Sequence, residues 1–170
     1  EENPYTVRGC FVPEKGNIFL SLDYSQQEYR LMLDYAGEYR VIKEVMGGKD
    51  LHQAIADMAK VSRKQAKTLS FGILYGSGAA KVAEMLGIPE REARILKENY
   101  LLALPKVDKF ISDVISRNRQ RGYVRNWFGR TLRNSYDDSY KAPNHLIQGG
   151  CGDIIKVAMI QIHELLKGTN

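Results

Sequence analysis

Arg63, Lys67, Phe71 and Tyr75 follow one another at intervals of four residues. On a helix each such step advances about 400°, so the four side chains form one slowly drifting row roughly 18 Å long. Two cations and two rings in a row suit a phosphorylated ligand that carries a base or sugar. A guanidinium grips phosphate oxygens bidentately, an ammonium acts as a point charge, and a ring supplies a stacking face. The same spacing describes an ordinary amphipathic helix that buries Phe71 and Tyr75 and leaves Arg63 and Lys67 in solvent. On spacing alone that plainer description is the favoured one. Asp23 is the second candidate. Ile18, Leu20 and Leu22 alternate with Phe19, Ser21 and Asp23, the period-2 signature of a strand with one buried face. Asp23 then sits at the strand's end, where a rigid scaffold can hold a metal-binding carboxylate. An Asp that only forms a turn fits the same place.

The elements that must position these groups follow from local signals. After Asp23, the stretch Gln26 to Tyr39 reads as a helix, and Gly47-Gly48 breaks the chain before Asp50. Asp50 is a suitable N-cap for a helix through Lys60, and Ser62 for the next, which runs to about Tyr75 and stops at Gly76-Ser77-Gly78. A short helix from Ala79 to Leu86 ends at Gly87; Pro89 and Glu90 open another to about Leu104; Pro105 starts a third that Gly122 stops. Tyr123, Val124, Trp127 and Phe128 around Gly129-Arg130 suggest a hairpin, followed by a polar loop from Arg133 to Ser139. Ile154 to Lys167 reads as a final amphipathic helix with an apolar stripe of Ile154, Ile155, Ala158, Ile162 and Leu165. The expected class is α+β, predominantly helical, with a few short antiparallel strands.

Composition sets looser bounds. The 170 residues are 44% hydrophobic and 26% charged, close to an average globular chain, and 25 Lys+Arg against 20 Asp+Glu give a net charge of +5. That balance suits a polyanionic partner, although many unrelated domains share it. Cys10 and Cys151 stand far apart without a CxxC or Cys/His pattern, which argues against a disulfide framework and a zinc site. No apolar run reaches the ~18–20 residues of a membrane span, and Glu1-Glu2-Asn3-Pro4 is unlike a secretory signal, so a cytoplasmic protein is expected. The lack of an initiating Met, and an end at Gly168-Thr169-Asn170 directly after a helical pattern, read as an excerpt of a longer chain. Gly76 and Gly78 form no P-loop, because no GxxxxGK[ST] accompanies them.

Two longer segments turn these candidates into a pattern. Asp23-Tyr24-Ser25-Gln26-Gln27-Glu28-Tyr29-Arg30 closely resembles the DYSQxExR pattern of motif A in family A DNA polymerases, and Arg63 through Gly76 resembles that family's motif B, RxxxKxxxFxxxYG, in the family's order. The flanks agree. Val7 to Pro13 resembles the approach to motif A, Asp50-Leu51-His52 the family's D-[IL]-H helix start, and Tyr123-Val124 with Gly129-Arg130 its later hairpin. Asn144 through Gln148-Gly149, followed by Asp153-Ile154-Ile155-Lys156, resembles the helix that lines template and primer.

The resemblance implies a partial polymerase palm over residues 1–30, a helical fingers subdomain inserted at 31–122, and a hairpin with a return to the palm at 123–170. Asp23 and the Tyr24 carbonyl would bind two Mg2+ ions, and Asp23 and Lys67 would be catalytic. Arg63, Lys67 and His52 would hold an incoming dNTP's triphosphate. Phe71 would lie on sugar and base and Tyr75 near the templating base, with Glu28 as the steric gate against a 2′-hydroxyl. Arg30, Asn144 and Gln148 would touch primer-template DNA, with Gln26 a weaker candidate for the nucleotide surface. The implied activity is template-directed 5′-3′ DNA synthesis.

The chain departs from the pattern in several places. Motif C, with its His-Asp-Glu and second metal-binding Asp, has no counterpart. His163-Glu164-Leu165 lacks the Asp and falls inside the last helix's periodicity, so it reads as helix surface. The thumb region is also missing, and the expected partners therefore include thumb and motif C segments supplied from elsewhere. Gly150, Cys151 and Gly152 replace more helix-friendly residues, costing up to roughly 1 kcal/mol per Gly, and Tyr140 stands where an Arg is common. Arg117, Arg119, Arg121, Tyr123, Arg125, Trp127, Arg130 and Arg133 could line a DNA backbone or form a solvated helix end. A single-subunit RNA polymerase is the nearest enzyme alternative, but it usually carries a small residue at the Glu28 position and Met at that of Phe71. A non-catalytic nucleic-acid-binding remnant is the alternative from another class. Compact spacing between His52 and Arg63 suits a viral or phage source.

Overall fold

In the computed structural model, residues 7–168 are described; the Glu1 to Pro4 stretch and the Thr169-Asn170 end considered above lie outside them. Eight α-helices and one two-stranded antiparallel sheet make up the described chain, with a 3-10 turn at Val7–Cys10 and another at Ser139–Lys141. The helices are α1 (Gln27–Ala36), α2 (Tyr39–Met46), α3 (Leu51–Ala59), α4 (Arg63–Leu74), α5 (Ala79–Leu86), α6 (Glu90–Ala103), α7 (Pro105–Arg121) and α8 (Ala142–Leu166). Strands β1 (Tyr123–Arg125) and β2 (Thr131–Arg133) stand between α7 and α8, with Val124 opposite Leu132. The predominantly helical α+β expectation holds. Among the described residues no helix is long and apolar enough to cross a membrane.

Caps account for most boundaries. Asp50 accepts a hydrogen bond from the Gln53 amide at the start of α3. Ser62 and Gln65 form a reciprocal capping box at the start of α4, satisfying two backbone donors that the first turn leaves without partners. Gly122, at φ 74°, closes α7 in the left-handed conformation that L side chains avoid. The helices share a core in which Met32 and Leu33 of α1, Val41 of α2, Ile55 of α3, Leu69 of α4, Val82 of α5, Tyr100 of α6 and Val107 of α7 are almost wholly buried. Each large aliphatic side chain there contributes roughly 1.5–3 kcal/mol by leaving water. A smaller cluster of Val114, Val124, Ala142 and Leu146 joins the hairpin to α7 and α8.

Three expectations are corrected. The helix expected over Gln26 to Tyr39 is two helices, because Gly37 adopts φ 70° and its amide bonds back to Asp34 and Leu33, ending α1 before α2 begins. The strand expected over Ile18 to Asp23 is absent: Ile18 is 87% and Leu22 64% exposed. Alternation marks a face suited to burial, but a strand exists only through a ladder, and β1 and β2 are the sheet's members among the described residues. The final helix begins at Ala142 rather than Ile154, running unbroken through Gly149, Gly150 and Gly152.

Packing explains the third correction. A Cβ built on Gly150 would lie 2.9 Å from Leu31 Cδ2, and one on Gly149 3.2 Å from Leu132 Cδ1. These glycines give up helix propensity so that α1 and β2 can approach α8 closely. Of the expected stripe on α8, Ile154 packs against the core while Leu165 is largely exposed.

The hairpin is fastened to α8 by a polar clamp. Asn126 accepts from the Phe128 and Arg130 amides and donates to Asp153 at 2.7 Å. Arg130 ion-pairs with the same carboxylate. Arg130, helped by the Asn126 amide, holds the Asp153 carboxyl down at about 2. A carboxyl depressed below its unfolded value of about 3.9 contributes stability that is complete above that value and is lost as pH falls toward 2. Chemical denaturation across this range should show wild type losing stability on acidification that Asp153→Asn does not lose. Parallel acid limbs for the two proteins would refute the clamp.

Candidate functional site

Helix α4 presents the row that its spacing requires. Arg63 and Lys67 are exposed on its first turns, and Phe71 and Tyr75 are 41% and 46% exposed at its end. The two rings lie parallel within 6°, their centroids 6.5 Å apart, an offset arrangement that leaves a continuous apolar face. The plainer description, with both rings buried, does not hold. Ala66, Leu69, Ser70 and Ile73 form the buried side of the same helix, so the row lies on its exposed side.

Other elements close around the end of that row. Glu28, in the first turn of α1, accepts a hydrogen bond from the Tyr75 hydroxyl at 2.9 Å, and the Gln148 side chain of α8 approaches the same hydroxyl. Burial, then the bond to Glu28, raises the Tyr75 pKa, so the phenol stays a donor. His52, the second residue of α3, is only 3% exposed, with its ring 6.2 Å from that of Phe71. Burial is the main cause that lowers its pKa, opposed by Asp50 and assisted by Arg63 and Lys67. A neutral imidazole results, and its buried Nδ1 has no hydrogen-bond partner, a costly state.

A hollow of about 260 Å3 opens beside these groups, lined by Asp23, Tyr24, Gln26, Glu28, His52 and Phe71 together with Gln27, Tyr29, Ser70 and Leu74. Six of the residues singled out from sequence thus share one cavity. Arg63, Lys67 and Tyr75 stand along the same helix, and Gln148 lies near Tyr75. Arg30 does not line this cavity; it faces a neighbouring hollow with Tyr24, Ser25, Gln27 and Asp34. Asn144 lies one turn before Gln148 on α8, and its buried Oδ1 has no partner. Gln26 takes a left-handed conformation, φ 54°, just before α1, which turns the chain from the Asp23 segment into the helix.

Asp23 and Tyr24 are both exposed on a segment outside any helix or strand. Their carboxylate and carbonyl are the hard oxygen donors that Mg2+ takes along with phosphate oxygens and water. Among the described residues no group of three or more His, Cys, Asp and Glu could hold a metal ion by itself.

Sequence reasoning missed three contributors. Tyr29 and Ser70 line the cavity and meet Tyr100 in a buried hydroxyl cluster. Asp50, read only as a cap, also grips Arg63 with both oxygens at 3.0 Å. Its carboxyl is held down at about 2, chiefly by that contact. No spacing rule could have found these, since the partners lie 13 to 71 residues apart.

The chain is 35% identical over 160 residues to a DNA polymerase of Mycobacterium phage L5, covering 94% of this chain and 27% of that protein. It is 31% identical over 182 residues to the thermostable DNA polymerase I of Thermus aquaticus, covering 95% of this chain and 22% of the relative. The chain therefore spans about a quarter of the length of these relatives. A solved structure of the POL domain of Pol1 from M. smegmatis, in complex with DNA primer-template and dNTP, superposes with a TM-score of 0.78 at 31% identity, over 86% of this chain and 29% of that one. The model of DNA polymerase family A matches residues 1–170, and the chain belongs to that family.

Proposed function

We propose that this chain is the palm-and-fingers portion of an enzyme that extends a DNA primer 5′ to 3′ from dNTPs on a template. The carrying observation is the closure of the α4 row by Glu28. Phe71 and a neutral imidazole line one cavity with Glu28 and Asp23, and the α4 row continues from Phe71 to the exposed cations Lys67 and Arg63 outside that lining. The division into palm at 1–30, fingers at 31–122 and returning palm at 123–170 belongs to the same proposal, as does a cytoplasmic setting.

Each side chain has a task its chemistry can perform. Lys67, which makes no ion pair among the described residues, supplies net positive charge to a triphosphate, and Arg63 adds directional N–H donors. His52, held neutral, hydrogen-bonds a phosphate oxygen without adding charge. Phe71 lies on the sugar and base, and Tyr75 extends the same face toward the templating base. Negative charge accumulates on the transferred phosphoryl group and the departing pyrophosphate, so these fixed cations stabilise the transition state more than the ground state. Mg2+ bound at Asp23 and the Tyr24 carbonyl would, as a pair of ions, activate the primer 3′-hydroxyl and neutralise charge on the leaving group. Arg30, Asn144 and Gln148 would touch primer and template, with Gln26 a weaker candidate for the nucleotide surface.

Glu28 discriminates by being held. With Tyr75 donating to it, the carboxylate cannot swing aside, so a ribose 2′-hydroxyl meets both its bulk and its fixed acceptor geometry. A deoxyribose does not. Thumb and His-Asp-Glu segments complete the assembly in this proposal.

Isothermal titration of the chain with dATP and Mg2+ should show Lys67→Ala weakening binding on the order of 10-fold or more, the scale of losing one charge-assisted contact. Wild-type affinity in that variant would remove Lys67 from the triphosphate site. Primer extension with four dNTPs and Mg2+, with and without a separately supplied His-Asp-Glu segment, should depend on Asp23. Persistence in Asp23→Asn would end the metal assignment. In the active assembly, Glu28→Ala should increase ribonucleotide relative to deoxynucleotide incorporation; unchanged sugar selectivity would count against the gate.

A further inference from the structure

The Arg63 guanidinium is held along one edge only. Its Nε donates to Asp50 Oδ1 and its Nη2 to Asp50 Oδ2, each at 3.0 Å. A guanidinium carries five N–H groups in a rigid plane. The side-on contact uses two of them and leaves the Nη1 pair and one Nη2 hydrogen, which form a second, end-on fork. Asp50 is itself fixed, because Oδ1 also accepts from the Gln53 amide as the N-cap of α3. Both oxygens are thus committed and the carboxylate cannot rotate without breaking the cap. The turn that brings α4 back to Asp50 passes through Lys60 in a left-handed conformation, φ 54°. Two residues beyond Asp50, on the same helix end, His52 keeps a buried Nδ1 without a partner beside the cavity.

We propose that Asp50 is a positioning residue for triphosphate recognition: it grips the side-on edge of Arg63 so that the end-on fork is presented, already oriented, to a phosphate group of the incoming nucleotide. This rests on the triphosphate-site reading of α4 and adds to it a division of labour. The Arg63–Asp50 pair is neutral overall, so it contributes geometry, while Lys67 contributes charge. A free arginine side chain would have to give up rotamer entropy on binding. Here the fold has already restricted it. The negative charge of Asp50 lies behind the guanidinium in an exposed setting, where solvent and salt screen its repulsion of the ligand.

A double-mutant cycle separates positioning from capping and from simple charge. Asp50→Asn and Asp50→Ser both retain an N-cap acceptor, and thermal melts establish that each variant is folded. Titration with dATP and Mg2+ is expected to show each of them weakening binding on the order of 10-fold, as loss of a two-point charged contact implies. In an Arg63→Ala background the same substitutions should change nothing further. Side-chain 15N spectra should show the Arg63 Nε–H exchanging faster with solvent in Asp50→Asn. Unchanged or tighter dATP binding in the Asp50 variants overturns the proposal, as does an equal loss with Arg63 present or absent. If Arg63→Ala and Lys67→Ala weaken binding while Asp50→Asn does not, only the positioning role fails. If wild type does not bind dATP, it fails together with the triphosphate-site reading.

Discussion

The Tyr100 hydroxyl lies between those of Tyr29 and Ser70 in the interior where α1, α4 and α6 meet. Ser70 donates onward to the Ala66 carbonyl at 2.7 Å. Because the serine proton is committed there, the order of donation is set: Tyr29 to Tyr100, Tyr100 to Ser70, Ser70 to the backbone. Burial raises the pKa of both phenols, so the chain stays protonated. Such a buried polar line is stable only if every member is satisfied. It allows one relative placement of the three helices, whereas purely apolar packing would tolerate small slides. Glu28 precedes Tyr29 on α1 and Phe71 follows Ser70 on α4. The hydroxyl line therefore fixes the distance across which Tyr75 reaches Glu28, and with it the width of the cavity mouth.

Electrostatics around the row is arranged by pairing some charges and leaving others. Arg63 is neutralised by Asp50, and His52 is kept uncharged by burial. Lys67 has no ion pair among the described residues. The residues around the row thus comprise one unbalanced cation, one paired guanidinium and one neutral ring, rather than three like charges that would repel one another. The cost appears at His52 Nδ1, a buried atom without a partner. Unsatisfied groups of this kind lower stability.

What the sequence disclosed and what it hid divide along local and non-local physics. The ends of α3 to α7 were legible because Asp50, Ser62, Gly87, Pro105 and Gly122 act on their own backbone neighbours. The α4 row was legible because helical spacing alone determines it. The early start of α8 was hidden by its glycines, whose poor propensity is overridden by the approach of Leu31 and Leu132, neighbours far away in sequence. The alternating segment from Ile18 to Asp23 misled for the converse reason, since the pattern reports a preference that only a ladder partner can convert into a strand. Asp50 was legible as a cap and Arg63 as a phosphate cation, yet their pairing depends on the α3–α4 turn and not on either residue.

Helix α8 joins the two halves of this arrangement. Its first turns carry Asn144 and, one turn later, Gln148, whose side chain approaches the Tyr75 hydroxyl. Five residues further along, Asp153 holds Arg130 and Asn126 at the tip of the hairpin. Between them, Gly149 and Gly150 let β2 and α1 close in on the helix from two sides. A rigid helix fixed at such short intervals cannot shift one contact without disturbing the others. The hairpin is thereby coupled to the position of Gln148, so the placement of a side chain beside Tyr75 depends on a buried carboxylate further along the helix.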